Sequence, residues 1–391
     1  MKYWRGYLTA GIFTAIALGL MEVAKKYGTL VDMVYPYVTR SVQGFLTAWT
    51  SGMDFCVWQI VVLLFAVLVL SSLVLVFVFK GSIVQWLGWV LAAVSIVFCL
   101  NTGVYGLNYY AGPIEEDLRL EMNDYTQLEL EHAAIYYRDK ANAIAVQLPR
   151  DEKGIVKYSD FESLTQRGGD GFRNLVINRS FSIFGGDYTP VKALGWADMY
   201  SSMGITGFTC FLTGEAAVNP QIPSISQPFT ICHEMAHRLC VAQEDAANFA
   251  AYLACEASVS REYQYSGFVM AFRYCYNALY NVDAAAALRI LDGCVNELVW
   301  DLDYYNNFFS ANRDKEATEL ANTVNDTYLK VSGDSDGIAS YGAVCDYLVN
   351  WYLQEFGEEE AVEHQFDPYD ESQVDLTGLP NYVPEETESA A

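Results

Sequence analysis

A chain of 391 residues is long enough for two or more domains and a sizeable core. Its hydrophobic content of 52%, with a positive mean hydropathy, is high for a soluble protein, and the excess sits before residue 110. The net charge of −25 belongs mainly to the remainder. It argues against nucleic acid as a partner, because phosphate binding needs a basic surface, and against an anionic lipid surface.

Three apolar stretches lie near the N-terminus, at about Trp4–Val23, Cys56–Phe79 and Ile83–Leu107. The second and third carry no charge, and each is long enough to span a bilayer. A short Lys80-Gly-Ser82 turn joins them as a helical hairpin. No small-x-small cleavage site precedes Lys25, so the first stretch reads as an uncleaved span rather than a signal peptide. Residues 1–110 therefore form a membrane domain, and the lipid bilayer is a partner. The basic residues around the spans split without a clear excess on one side. Lys2 and Arg5 at the start favour an inside N-terminus, which with three spans makes everything after residue 110 extracytoplasmic.

From Glu115 to about Ala145 the apolar positions Leu118, Met122, Tyr125, Leu128 and Ile135 recur at helical spacing and predict a connector helix. His132 on it reads as an ordinary helix histidine. The stretch Lys153–Trp196 reads as loop-rich, with Gly168-Gly-Asp-Gly171 and Gly185-Gly186. Gly204–Asn219 carries β-branched and aromatic residues with glycine punctuation and predicts one or two strands. The chain then returns to helices. The tail Glu355–Ala391 is acidic and poor in apolar residues, and composition predicts disorder there. The expected domains are 1–110, 111–354 and the tail 355–391. Nine cysteines in no zinc-finger spacing read as buried apolar residues.

The most informative feature is His233-Glu-Met-Ala-His237 within Pro228–Cys240. That segment reads as a helix, with Ser226 as its cap and Pro228 in its first turn. Phe229, Cys232, Ala236 and Leu239 make an apolar stripe beside the histidines. Residues four apart share a helix face, so His233 and His237 can share one zinc ion, with Glu234 close to its water. A third ligand is needed. Glu244 opens a second helical stretch, Glu244–Cys255, and on one straight helix it would lie about 10 Å further along. The segment Arg238–Gln243 must therefore turn the chain back. Asn248 shares the face of Glu244 and can bond the far nitrogen of a ligating histidine. Asp245 is the reserve ligand, and an acidic first turn is the plain structural reading of both acids.

The pattern H-E-x-x-H followed by Glu244-Asp-Ala-Ala-Asn248 resembles the E-x-x-A-[DN] motif of gluzincin metallopeptidases, some of them integral to membranes. The chain also resembles the bacterial domain-of-unknown-function 3810 family of membrane proteins. That resemblance rests on Gly106-Leu-Asn-Tyr-Tyr110, Gly207-Phe208, Gly214-Glu-Ala216, Asn219, Pro228 through Glu234, Tyr265-Ser-Gly267 and Ser340-Tyr-Gly342, and covers the chain to about Glu355. It departs at Cys240, where the family prefers a glycine suited to a left-handed turn, and at Ala246, where the family often has Glu.

The resemblance implies a mostly α fold. Three transmembrane helices precede a helical zincin-like domain with a small hairpin or sheet before the H-E-x-x-H helix. It implies His233, His237 and Glu244 as ligands of one Zn2+, with Glu234 as catalytic acid and base. It also implies an extended peptide or protein substrate beside the strand. Tyr265 and Tyr341 are candidate hydrogen-bond donors to a developing oxyanion, although with 28 tyrosines packing is the plainer role. The expected activity is hydrolysis of peptide bonds by a multi-pass enzyme of the cell membrane. Two other classes stay open: a zinc-binding membrane sensor, and an interaction protein whose site has decayed, as Cys240 and Ala246 would suggest.

Overall fold

The computed structural model describes residues 4–334 and 340–363. Four helices open the chain: α1 (Arg5–Lys26), α2 (Gly28–Thr50), α3 (Val57–Val78) and α4 (Ile83–Val104). Helices α1, α3 and α4 are long and apolar enough to cross a membrane, and they match the three expected spans. The chain is a multi-pass membrane protein. Helix α2 has no counterpart among the expected elements, because its Thr and Gln residues and Pro36 interrupt the apolar run that marks a span.

Helices α1 and α4 run side by side in the same direction. Near their starts the Tyr7 hydroxyl donates to the Val84 carbonyl at 2.9 Å, and further along Thr14 meets Ser95 at 3.2 Å. Helices α3 and α4 form the expected hairpin, with Trp86 Nε1 donating to Ser72 Oγ at 2.8 Å. Only Trp58 and Gln59 of α3 are buried, so almost its whole apolar surface is left for lipid.

Past a 3-10 turn at Gly106–Tyr110 come α5 (Ile114–Leu118) and α6 (Gln127–Ala145). The single connector helix expected here is broken. Arg119 takes a left-handed φ of 55°, and Thr126 with Glu129 forms a capping box that starts α6. The chain between is bonded by side-chain amides from far along the sequence. Glu121 N–H donates to Gln354 at 3.0 Å, and Asn123 N–H to Asn350 at 3.0 Å.

The region read as loop-rich holds two helices, α7 (Phe161–Arg167) and α8 (Asp170–Arg179). Its glycines serve packing rather than looping: a Cβ on Gly171 would overlap the Ala254 carbonyl. Then follow β1 (Lys192–Ala193), α9 (Ala197–Ser202), β2 (Gly207–Cys210) and β3 (Glu215–Val218). The sheet order is β1-β3-β2. Strand β1 is parallel to β3, and β2 is antiparallel to it with Phe208 opposite Ala217. The expected strands are thus β2 and β3. Strand β1 adds two residues, too few to show a period in sequence.

The rest is helical: α10 (Gln227–Arg238), α11 (Glu244–Ala257), α12 (Arg261–Val282), α13 (Ala284–Asp292), α14 (Asn296–Asn312), α15 (Lys315–Ser332) and α16 (Ser340–Glu363). Helix α11 is the axis of the core. Phe249, Leu253 and Cys255 are fully buried, and α10, α8, α12 and α16 pack around it. Helix α16 runs past the domain end expected at residue 354, and Glu355 pairs with Arg179 at 2.6 Å. Residues 364–391 of the expected acidic tail lie outside the described residues.

At the end of α11 burial pushes the Glu256 carboxyl up to about 7, against a usual 4.5, and the Tyr252 hydroxyl donates to it at 2.9 Å. The folded chain therefore holds a proton that the unfolded chain has already released between pH 4.5 and about 7. Stability falls as pH rises through that window. Glu256→Gln should remove this group's share of the slope. In detergent its melting temperature should exceed that of the wild type by a few degrees above pH 7, and the two curves should meet below pH 4.5.

Candidate metal centre

Helix α10 starts at Gln227 with Pro228 in its first turn, as expected. Ser226 does not cap it. Its backbone is already helical, and its hydroxyl donates to the Pro223 carbonyl at 2.9 Å. The first-turn amide of Phe229 instead donates to Ser266 Oγ of α12 at 3.1 Å. This gives the Tyr265-Ser-Gly267 motif a structural meaning. Ser266 caps α10 from a neighbouring helix, and Gly267 lies where a Cβ would strike Cys255 of α11. Tyr265 is buried within α12, and its hydroxyl donates to Asp301 at 2.7 Å, beside the Arg150–Asp301 ion pair at 3.0 Å. It is spent on that buried carboxylate, which corrects the expectation of a loop-facing donor at the metal. Tyr341 falls in the first turn of α16, and its side chain lies outside the described residues.

The C-terminus of α10 reverses the chain. Cys240 N–H donates to the His237 carbonyl at 2.9 Å, and Val241 N–H to the Ala236 carbonyl at 3.1 Å. This pair of bonds is a Schellman motif, and the residue between helix and exit must be left-handed. That residue is Cys240, with φ of 73°. The cysteine thus adopts the conformation for which a glycine is expected. Its thiol is buried 3.2 Å from Thr39 Oγ1 of α2. Ala246, the other departure, is buried in α11 and takes no part in the triad.

The reversal sets Glu244, the first residue of α11, against the two histidines. His233 Nε2 and His237 Nε2 lie 3.1 Å apart, and Glu244 Oε2 is 3.2 Å and 3.3 Å from them. Asp245 is outside this group, because its Oδ1 accepts from the Ala246 amide at 2.7 Å. His237 Nδ1 faces the Val241 carbonyl at 2.9 Å. A carbonyl only accepts, so that ring nitrogen carries the proton and Nε2 points its lone pair into the triad. Val241 therefore does for His237 the orienting work expected of Asn248. Asn248 is buried, and neither its Nδ2 nor His233 Nδ1 has a hydrogen-bond partner among the described residues.

This donor set fits a divalent cation. Three acceptors converge, and one proton can bridge only one pair of them. Zinc holds imidazole nitrogen and carboxylate oxygen at about 2.0–2.2 Å, which puts tetrahedral neighbours about 3.3 Å apart. The electrostatics agree. Burial pushes the Glu244 carboxyl up, but His237 and His233 outweigh it and hold the group well below the usual carboxylate range. Burial lowers His237, and the Glu244 carboxylate overrides that to raise it to about 9. Positive charge is wanted between them.

Glu234 lies on the same helix with its carboxyl buried. The Thr209 hydroxyl of β2 donates to its Oε2 at 2.7 Å, and a Cβ on Gly207 would collide with the carboxylate. Burial raises its pKa above the ordinary value, against the lowering by both histidines and Thr209. Thr209, Val241 and Ser266 are supports that sequence reasoning missed. Each is an ordinary residue type, and only the fold brings it to the site. Cys232 faces away, with its thiol 3.8 Å from the Gly168 carbonyl.

The turn generates a test. Cys240→Gly relieves a left-handed cost of about 1–2 kcal/mol and gives up a buried side chain of similar worth, so metal content and stability should stay near wild type. Cys240→Val adds a branched side chain at the same φ and should lose more than about 2 kcal/mol, with loss of stoichiometric metal. Chemical denaturation and metal analysis read both. Full metal content in Cys240→Val would mean that the turn does not position Glu244.

No curated protein and no solved structure matches this chain. The model of one family, described as a protein of unknown function (DUF3810), matches residues 31–349, a stretch that runs from α2 into α16 and takes in the whole His233–His237–Glu244 cluster. The chain belongs to the DUF3810 family.

Proposed function

We propose that this protein is a membrane-anchored zinc metallopeptidase that hydrolyses peptide bonds. The observation that carries the reading is the convergence of His233 Nε2, His237 Nε2 and Glu244 Oε2 within 3.3 Å of one another, with the buried Glu234 on the same helix. Two imidazoles and one carboxylate are the ligand set of a hydrolytic zinc whose fourth position stays open. Bound there, zinc supplies a lowered water pKa and a polarised scissile carbonyl.

The protein's own groups do the rest. Val241 holds His237 in the ligating tautomer. Thr209 fixes one oxygen of Glu234 and leaves the other toward Gly207. From there Glu234 takes a proton from the attacking water and hands it to the leaving amine. Burial, which raises its pKa, brings Glu234 nearer the range in which one carboxyl can do both. Strand β2 pairs with β3 on one side, and its other edge meets no strand among the described residues. An extended peptide can add there, beside Glu234. With Lys2 and Arg5 held inside, the catalytic domain is extracytoplasmic, since it follows α4 on the side where α1 ends.

Purified wild type should carry about one zinc per chain. Glu244→Ala should lose it. Glu234→Gln should keep the metal and cut cleavage of a peptide library by at least about 100-fold. A chelator should abolish wild-type cleavage, and added zinc should restore it. Full cleavage by Glu234→Gln would overturn this catalytic mechanism, and stoichiometric zinc with no cleavage by wild type would favour a zinc-binding sensor.

A further inference from the structure

Helix α2 is inside out for a protein in water. The residues that it buries are Thr39, Gln43, Thr47 and Thr50, all polar and each at most 3% exposed. The residues that it exposes include Leu30, Met33, Tyr37, Phe45 and Trp49, with Phe45 74% and Trp49 67% exposed. Both sets recur at helical spacing, so they are opposite faces of one helix.

The polar face packs against the domain that holds the triad. Thr47 Oγ1 donates to the Gly214 carbonyl at 2.6 Å, and Gln43 Nε2 to the Phe211 carbonyl at 3.0 Å. The Arg40 guanidinium donates to the carbonyls of Ser182, Ile183 and Gly185 at 3.0–3.2 Å. Thr39 meets Cys240 at the turn after His237.

The order of the spans restricts where α2 can lie. Helices α1 and α4 run in the same direction, and α3 runs against α4. The end of α1, the start of α3 and the end of α4 therefore share one side of the membrane. Helix α2 joins the first of these to the second, so it starts and finishes on that side. Its 23 residues make about 34 Å of helix, enough to cross, yet a single crossing would strand α3 on the wrong side.

We infer that α2 lies in the plane of the membrane interface, apolar face in lipid and polar face against the metal-site domain. Its exposed face is apolar, as are the exposed surfaces of α1, α3 and α4. Burial of apolar side chains drives the contact. Charge does not, because the chain is strongly acidic, so neutral phosphatidylcholine suffices. The inference stands whether or not the triad cleaves peptides.

The test places photoreactive p-benzoylphenylalanine singly at Phe45, Trp49, Leu68 or Trp300 of the full chain, in phosphatidylcholine vesicles. Leu68 on α3 is the lipid standard and Trp300 on α14 the solvent standard, and both are exposed. Irradiation should give lipid adducts at Phe45 and Trp49 as at Leu68, and none at Trp300, by intact mass. Labelling at Leu68 alone overturns the inference. So does an adduct of twice the chain mass from Phe45 or Trp49, which would mean that a second copy covers the face.

Discussion

The structure turns on one reversal of the backbone, between Arg238 and Gln243. Two histidines on a helix are a pair, and a pair does not hold a cation firmly or leave a defined open position. The third donor sits seven residues beyond His237, about 10 Å away along a continued helix. The Schellman bonds at Cys240 and Val241 bring it within 3.3 Å. The same turn presents the Val241 carbonyl to His237 Nδ1, so it sets both the position of one ligand and the tautomer of another. A left-handed cysteine is a costly way to make it. The cost is offset locally by burial of the thiol beside Thr39.

That turn is held from several sides. Tyr105, at the end of α4, donates to the Val241 carbonyl at 3.2 Å, and α2 reaches Cys240 through Thr39. Membrane helices thus touch the triad's turn directly. Ser266 fixes the other end of α10. The H-E-x-x-H helix is therefore braced at both ends by other elements, which suits a site whose ligands must stay within a few tenths of an ångström.

Much of this was legible in the sequence, and the limits have physical causes. The spans are legible because lipid admits only long apolar runs. The triad is legible because helix periodicity places His233 with His237, and the reach to Glu244 demands a turn. The reading fails where burial and composition part company. Gly168 and Gly171 look like loop punctuation, yet they lie against α10 and α11, and Gly169 lies against Tyr188. Tyr265 looks like a spare phenol and satisfies a buried aspartate. Helix α2 escapes a hydropathy reading because its buried face is the polar one. The expected order of polar and apolar holds for water, and α2 answers to lipid on one side and to backbone carbonyls on the other.

The triad is also a stability problem that a cation resolves. Glu244 is a buried carboxylate whose neighbours are two imidazoles, and His237 reaches about 9 in answer to it. A buried charge without a partner costs several kcal/mol, so without a metal a proton must be held between Glu244 Oε2 and the imidazole nitrogens 3.2 Å and 3.3 Å from it. Since His237 is locked by Val241, its ring cannot rotate away to find another partner. A divalent ion satisfies all three donors at once, and its binding energy then adds to folding. The rigidity that makes the empty arrangement costly is what makes the ligand geometry selective. A looser Arg238–Gln243 turn would relieve the first and forfeit the second.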